Sequence, residues 1–269
     1  EVNKTRVMGI TAPRGEILDR NGLVLATNRP GYTVFLADLD RKEKDRVIVE
    51  IAEILDMEEA EIRSLISEQR FRQYRPVVLK TDVDESVIAE IAERRTELPG
   101  VDYEAEPIRI YPEDNVAAHI LGRTRRINNN QLLKWQEQGL SYGPNDIVGS
   151  LSGIEEFWQE YLRGEDGREL VTVNQLSQRI KVENREDPIP GDDVHLTIDT
   201  NLQRALEEGM YRVAENAFGE DGREKLRGAA VALDPRNGAI RAMVSLPDYD
   251  LNSYNQEYNS LKTQKGNPL

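Results

Sequence analysis

Two short apolar runs near the start of the chain are separated by a polar turn. The runs Glu16–Leu18 and Leu23–Leu25 lie on either side of Asp19–Gly22, which ends in Asn-Gly. Because Asn and Gly both accept the positive φ of a tight turn, this pattern predicts a β-hairpin. A further strand is predicted over Tyr32–Ala37, after Pro30-Gly31.

From residue 38 to about residue 97, apolar residues recur with helical spacing in a highly charged background. Three sets share this spacing: Val47, Ile48, Ile51, Ala52 and Leu55; Ile62, Leu65 and Ile66; and Val87, Ile88, Ile91 and Ala92. We therefore predict three helices, with a strand over Arg75–Lys80 between the second and the third. Asp56 and Glu59 form a predicted capping box for the second helix. This stretch is interpreted as a small α+β lobe inserted after the hairpin.

Strand and helix patterns alternate through the rest of the chain. We predict strands over 101–111, 170–174, 179–182 and 194–198, helices over 115–121, 130–138 and 154–162, and a hairpin over 229–245 that turns at Asp234–Gly238. A further helix begins at Thr200, which forms a predicted capping box with Gln203. Its predicted apolar face comprises Leu202, Ala205, Leu206, Met210, Val213 and Ala217. The turn-rich residues 183–192 are the preferred domain boundary.

Composition narrows the class of function. The chain has 269 residues, 38% hydrophobic and 31% charged, with a formal net charge of −14. This acidic balance argues against a nucleic acid or an anionic membrane surface as the main partner, and it suits either a solvated surface or a basic protein partner. There is no cysteine for a disulfide or a thiolate site. No apolar run approaches the roughly 18 residues of a membrane span.

No set of side chains has the sequence spacing of a metal site or of a known catalytic motif. His119 and His195 have neither a second His nor a Cys beside them. Spacing leaves a Ser-His-Asp triad open, although Gly-x-Ser-x-Gly is absent. The pairs Glu155-Glu156 and Asp192-Asp193 are interpreted as solvated faces or turns. We predict no catalytic, cofactor-binding or metal-binding residue, and we interpret both Asn-Gly turns as hairpins rather than calcium or phosphate loops.

Five sequence blocks, in the same order, resemble class B penicillin-binding proteins. The blocks are Arg14–Gly22 with Leu25-Ala26 and Asn28; Arg109-x-Tyr111-Pro112 with Ala117-Ala118-His119-x-Leu121-Gly122; Gly153-Ile154-Glu155 with Leu162-x-Gly164-x-x-Gly167; Pro190-Gly191 with Leu196–Asp199 and Gln203; and Ala229–Asn252. The sequences of Asn28–Val34 and of "SGIEEFWQEYLRG" are most similar to the elongation-specific type, penicillin-binding protein 2, with the division-specific type as the near alternative. Arg123-Thr124 and Leu251 depart from the family pattern, which usually has Tyr-Val and Pro there.

The resemblance implies an α+β fold of several lobes. An elongated pedestal of hairpins and strands with an inserted helical head lobe would be followed by the incomplete start of a penicillin-binding transpeptidase α/β domain. The corresponding segments are 1–38 for the membrane-proximal hairpin and strand, 39–100 for the α+β head, 101–188 for the rest of the pedestal and 189–269 for the N-terminal fragment of the transpeptidase domain. We expect Arg14 and Asp19 or Arg20 to make a polar contact that braces this fold.

The family's chemistry is expected to lie outside this chain. The resemblance implies a parent protein that cross-links peptidoglycan stem peptides through a serine acyl-enzyme, with no cofactor. Its nucleophile stands in Ser-x-x-Lys, where the amine activates the hydroxyl. Ser260-Leu261-Lys262 has the wrong spacing, and Lys80-Thr81-Asp82 and Lys262-Thr263-Gln264 both fail as Lys-Thr-Gly. We therefore expect the chain to be inactive alone.

The resemblance also implies partners and a location. The implied partners are the parent's own transpeptidase domain, a polytopic RodA-like peptidoglycan glycosyltransferase and the elongation scaffold MreC; the parent's substrate would be peptidoglycan or its lipid-linked precursor. The location would be the extracytoplasmic face of the bacterial inner membrane, with an N-terminal transmembrane anchor that this chain lacks. A hydrolase built on His119 or His195 and an unrelated extracytoplasmic interaction domain are the alternatives.

Overall fold

The computed structural model describes residues 4–37, 39–68, 76–143, 146–150, 152–173, 179–219 and 222–254. The chain forms two compact units: Glu1–Ala12, Arg29–Ile108 and Asp166–Ile189 make the first, and Pro13–Asn28, Arg109–Glu165 and Pro190–Leu269 make the second. The division into four segments stays a prediction. In the described ranges, no helix combines the length and the apolar character that a membrane crossing requires.

The fold is a mixture of helices and small sheets, as the predicted α+β class requires. In the described ranges the strands are β1 Lys4–Ile10, β2 Ile17–Leu18, β3 Val24–Leu36, β4 Val77–Val83, β5 Val101–Ile110, β6 Arg123–Arg126, β7 Ile147–Ser150, β8 Gly167–Val173, β9 Arg179–Glu186, β10 Val194–His195, β11 Gly228–Asp234 and β12 Ala239–Leu246. The helices are α1 Arg41–Leu55, α2 Glu59–Glu68, α3 Glu85–Glu93, α4 Ala118–Leu121, α5 Asn129–Glu137, α6 Ile154–Phe157, α7 Gln159–Leu162, α8 Thr200–Phe218 and α9 Gly222–Lys225.

The helical lobe of the first unit is confirmed. Helices α1, α2 and α3 and the neighbouring strands bury one apolar core, which includes Val47, Ile51, Ile62, Ile88 and Ile91. This unit also holds an antiparallel sheet in the order β1–β8–β9. The predicted strand over Arg75–Lys80 lies at Val77–Val83 instead, and Arg75 is outside the described residues.

The predicted capping box at Asp56 is wrong. Asp56 adopts a left-handed conformation, φ 50° and ψ 56°, and its N–H bonds back to the carbonyls of Ala52 and Glu53. It therefore ends α1 rather than beginning α2. Asp is one of the few residues that accept this conformation, because its short polar side chain bonds locally.

The hairpin predicted from Asn21-Gly22 is confirmed, but its second strand is longer than expected. Strand β2 pairs antiparallel with the start of β3, and β10 pairs parallel with β2. Strand β3 then continues through Pro30-Gly31 to Leu36, so the strand predicted over Tyr32–Ala37 is the end of β3 rather than a further strand. Proline keeps φ near the extended region and is tolerated where its missing N–H is not needed. A Cβ at Gly31 would lie 2.4 Å from the Ile108 side chain, so this glycine marks close packing rather than a chain break.

Helix α8 packs on the hairpin β11–β12 of the second unit with a face that the sequence did not predict. Its buried residues are Thr200, Gln203, Glu207 and Ala214, whereas Leu202 is 41% exposed and Val213 is 68% exposed. Its N-cap is Asp199, whose side chain accepts from the Leu202 N–H, so the predicted Thr200–Gln203 capping box is also wrong. The helix predicted over 154–162 is divided at Trp158 into α6 and α7.

Candidate functional site

Arg14, Arg109 and Glu155 form a buried ion cluster in the second unit. Glu155 Oε2 accepts from Arg14 Nη2 at 2.8 Å and from Arg14 Nε at 3.1 Å, and Glu155 Oε1 accepts from Arg109 Nε at 2.7 Å. The three side chains are only 5%, 4% and 0% exposed. Buried charges persist in proteins when they are paired and hydrogen-bonded, and here two guanidinium groups surround one carboxylate.

A second layer of polar groups surrounds this cluster, although the buried Arg109 Nη2 has no hydrogen-bond partner among the described residues. Gln159 Oε1 accepts from Arg14 Nη1 at 3.0 Å and from the Gly149 N–H at 2.8 Å, and Arg109 Nη1 donates to the Gly15 carbonyl at 2.8 Å. The Tyr111 hydroxyl donates to Glu155 Oε1 at 3.4 Å. Burial, and then the charge of Glu155, raise the pKa of Tyr111 above its ordinary value, so it stays a neutral donor.

Close packing of Gly153 against Gly122 fixes the position of Glu155. Gly153 has a φ of 82°, and a Cβ on it would lie 2.6 Å from the Gly122 nitrogen. Only glycine accepts both the conformation and the approach. The first turn of α6 therefore begins directly against Gly122, which directs Glu155 into the unit between Arg14 and Arg109.

The first Asn-Gly turn is tied to the beginning of α8 by a buried carboxylate. Asp19 is 1% exposed; its Oδ1 accepts from the N–H groups of Asn21 and Leu23, and its Oδ2 accepts from the N–H and the hydroxyl of Thr200. Burial acts to raise the pKa of Asp19, but the hydrogen bonds from Leu23, Thr200 and Asn21 outweigh it and hold this pKa below its ordinary value.

Arg14 and Asp19 each make buried polar contacts, as expected, but with Glu155 and with Thr200 rather than with each other. Arg20 is half-exposed; its side chain lies 3.5 Å from Asp199, and its backbone N–H donates to the Ile198 carbonyl at 2.9 Å. The interpretation of Glu155 as a solvated residue is wrong, whereas its neighbour Glu156 is exposed. The sequence signal for Glu155 was its place in the Gly-Ile-Glu block, where glycines signal a constrained backbone.

Neither histidine is arranged for catalysis. His119 Nε2 lies 3.0 Å from the Pro247 carbonyl oxygen, and its ring packs edge to face on Tyr249 at 5.1 Å. His195 is exposed in β10. Within the described ranges, no group of three or more His, Asp or Glu side chains could hold a metal ion. Ser260 and Lys262, which the sequence analysis compares with catalytic motifs, lie outside the described residues. The absence of catalytic, cofactor-binding and metal-binding residues stays a prediction.

Comparison with known proteins gives a consistent result. The sequence model of the family described as "Penicillin-binding Protein dimerisation domain" matches residues 9–196. A protein named peptidoglycan D,D-transpeptidase MrdA from Acinetobacter baumannii is 32% identical over 99% of this chain and 38% of its own length. The MrdA of Salmonella typhimurium is 30% identical over 99% of this chain and 42% of its own length. Penicillin-binding protein 3 of Bacillus subtilis is 31% identical over 98% of this chain and 37% of its own length.

Solved structures share the fold. A complex between penicillin-binding protein PBP2 and MreC from Helicobacter pylori matches with a TM-score of 0.71 at 22% identity, over 99% of this chain and 48% of that one. A peptidoglycan synthase complex, described as coordinating polymerization and crosslinking, matches with a TM-score of 0.61 at 29% identity, over 100% of this chain and 45% of that one. The chain spans 38% and 42% of the length of the two MrdA relatives.

Proposed function

The chain belongs to the family of penicillin-binding protein dimerisation domains, and on that premise we propose that it is the non-catalytic pedestal region of a class B penicillin-binding protein. The observation that carries the proposal is the buried ion cluster. Arg14, Arg109 and Glu155 come from three of the blocks that resemble the family, and they meet in one hydrogen-bonded group. The residues that carry the resemblance therefore also hold this unit together.

The parent protein would act in peptidoglycan synthesis and cell-shape elongation as a serine D,D-transpeptidase. Two relatives named peptidoglycan D,D-transpeptidase MrdA support this activity for the parent. The chain itself would position that activity rather than perform it, because neither Ser-x-x-Lys nor Lys-Thr-Gly occurs in its sequence.

Residues 189–269 would be the first part of the transpeptidase domain. The exposed face of the hairpin β11–β12 supports this assignment, since Val231 and Leu233 are 57% and 56% exposed. Helix α8 packs on this hairpin, and the apolar side chains that stay exposed need further strands or a helix to cover them. The remainder of such a domain would supply that cover.

A fluorescent penicillin tests whether the catalytic serine lies in the parent protein and outside this chain. This chain should not be labelled covalently, whereas the full-length parent should be, because acylation needs a serine activated by a nearby lysine. Labelling is read on a denaturing gel, with heat-denatured parent as the control for non-specific attachment. Covalent labelling of the 269 residues would show that a nucleophile lies within them and would overturn the proposal.

The partners would be MreC and a RodA-like glycosyltransferase, at the extracytoplasmic face of the inner membrane. The likeness to structures of a PBP2–MreC complex and of a peptidoglycan synthase complex supports this. A parent anchored by an N-terminal transmembrane segment would hold the pedestal close to the polymerase. A head lobe that exchanges partners could shift the polymerase between states of different activity.

Val49 offers a direct test of the head lobe as a docking surface. It lies on α1, is 50% exposed, and shares its helix face with exposed Glu53. Replacing Val49 with Asp should weaken binding of MreC about tenfold, since an apolar contact at an interface contributes about 1–2 kcal/mol. Binding is measured by calorimetry, and polymerase activity in the reconstituted complex.

The matched control is Glu53→Gln, one turn away on the same surface. It should leave both readouts unchanged, because loss of an exposed charge has little effect. If Val49→Asp changes neither MreC binding nor polymerase activity, this surface of the head is not the docking site.

A further inference from the structure

The sequence contains two Asn-Gly pairs, Asn21-Gly22 and Asn237-Gly238, and the structure places both at exposed hairpin turns. Gly22 has a φ of 85° and Gly238 a φ of 74°, and neither has a neighbouring atom where a Cβ would stand. Asn followed by Gly is the pair most open to attack of the backbone nitrogen on the asparagine side chain, because glycine adds no Cβ to hinder the approach. The two turns differ in what surrounds the asparagine carboxamide.

Two carboxylates surround the carboxamide of Asn21. Its Nδ2 lies 3.4 Å from Asp19 Oδ2 and 3.3 Å from Asp199 Oδ2. Hydrogen bonds from Asn21 and from the Leu202 N–H hold the pKa of Asp199 below its ordinary value, and the pKa of Asp19 is also lowered. Both groups are therefore negatively charged at neutral pH. Arg20 Nη1 lies 3.5 Å from Asp199 Oδ2 and offsets part of that charge, whereas the groups that donate to Asp19 are the uncharged N–H groups of Asn21, Leu23 and Thr200 and the Thr200 hydroxyl.

The carboxamide of Asn237 has a different environment. Its Oδ1 accepts from the Ala239 N–H at 3.0 Å. The nearest acid in the turn, Asp234, has both oxygens occupied: Arg236 donates to them at 3.0 Å from Nε and from Nη2, and Arg241 Nη2 donates at 3.2 Å. The negative charge of Asp234 is thus offset by two guanidinium groups.

We propose that Asn237-Gly238 is a site of spontaneous modification, at which Asn237 converts to aspartate and isoaspartate through a succinimide, and that the folded structure protects Asn21-Gly22 from the same reaction. The Gly238 nitrogen gives its proton to water and forms a bond to Asn237 Cγ. The bond from Cγ to the amide nitrogen then breaks, and that nitrogen takes up a proton and leaves as ammonia. Water opens the ring at either carbonyl, so the reaction needs no enzyme, oxidant or reductant.

Charge at the transition state separates the two sites. Negative charge develops on the carboxamide oxygen as the nitrogen attacks, and a backbone N–H aimed at that oxygen stabilises it. Ala239 provides this donor at Asn237, whereas Asp19 and Asp199 place like charge beside Asn21. The two attacking nitrogens have similar surroundings. The Gly22 N–H donates to the Asp19 carbonyl at 3.1 Å, and the Gly238 N–H donates to the Asp234 carbonyl at 2.8 Å.

The test is a time course of the purified protein in mildly alkaline buffer, followed by proteolysis and mass spectrometry of the two turn peptides. Isoaspartate is counted separately with an isoaspartyl methyltransferase. We expect conversion at Asn237 to be about tenfold faster than at Asn21, which corresponds to a difference of about 1.4 kcal/mol in the barrier. Equal rates, or faster conversion at Asn21, would overturn the proposal.

Two controls separate structure from sequence. In urea the two rates should converge, because both sites are then the same dipeptide in an unfolded chain. A tenfold difference that persists in urea would show that the flanking residues cause it, and it would refute the structural account. Asp199→Asn removes one charge beside Asn21 while keeping an N-cap residue for α8. It should speed conversion at Asn21 and leave Asn237 unchanged, and an unchanged rate at Asn21 in a variant that melts like the native protein counts against the charge argument.

Discussion

Glu155 shows how a single carboxylate can connect segments that are distant in sequence. Its two oxygens accept hydrogen bonds from Arg14 and Arg109, which lie 141 and 46 residues away along the chain. Both partners are buried, so removal of Glu155 leaves two guanidinium charges without compensation. The free energy of unfolding should therefore depend on Glu155 far more than on an average acidic residue of this acidic chain.

Replacement of Glu155 by Gln should destabilise the protein by about 3–5 kcal/mol, because it leaves two buried guanidinium groups facing a neutral amide. The quantity to measure is the free energy of unfolding in urea. Arg14→Lys is a milder companion variant, since it keeps the charge but loses the forked geometry with Glu155 and Gln159. Its free energy of unfolding should lie between those of the native protein and of Glu155→Gln.

Glu156→Gln is the matched control, since Glu156 follows Glu155 directly and is exposed. It should change the free energy of unfolding by no more than about 0.5 kcal/mol. If Glu155→Gln were as mild as Glu156→Gln, the ion cluster would not be a major stabilising feature.

At the scale of the element, α8 shows both what a sequence pattern captures and what it misses. Its existence and length followed from its periodic apolar residues and a polar start. The face it buries did not, because the interior positions are held by specific polar pairs rather than by apolar area. Gln203 donates to the Met243 carbonyl at 3.0 Å and accepts from the Met243 N–H at 2.8 Å, as a neighbouring strand would.

The partner of Gln203 cannot be read from local sequence. Met243 lies 40 residues further along the chain, on β12. Hydrophobic periodicity ranks Gln203 as a solvent-facing position and Leu202 as a core position, and the structure reverses both. The same limitation explains Glu155, whose partners also come from distant blocks. By contrast, the hairpin at Asn21-Gly22 was predictable because its cause is local backbone conformation.

At the scale of the whole molecule, the excess of acidic over basic residues and a few unusual carboxyl groups set the response to pH. The chain has 49 acidic and 35 basic residues and a net charge of −14, so mild acidification relieves self-repulsion. Glu207 acts in the same direction: burial raises its pKa, despite hydrogen bonds from Gln203 and Ala117. At this residue the folded state therefore binds more protons than the unfolded state above the ordinary pKa of 4.5, so its contribution to stability rises as the pH falls towards that value.

The opposite sign applies at lower pH. The pKa of Asp234 is lowered to about 2 by hydrogen bonds from the side chain and backbone of Arg236 and from Arg241, and the pKa values of Asp19 and Asp199 are also lowered. These three carboxylates contribute stability that is fully present above the unfolded pKa of about 3.9. That contribution is lost as the pH falls through the lowered folded values.

We therefore expect a maximum of stability at mildly acidic pH, measured as the free energy of unfolding in urea across a pH series. Glu207→Gln should flatten the rise from neutral to mildly acidic pH, because its amide oxygen can still accept from Gln203 while its proton uptake is removed. Asp234→Asn should flatten the fall at low pH. Added salt should reduce the part of the rise that comes from self-repulsion and leave the part due to the buried Glu207. A steady loss of stability from neutral pH downwards would contradict this assignment, because it would mean that the paired carboxylates outweigh Glu207 and the net charge throughout.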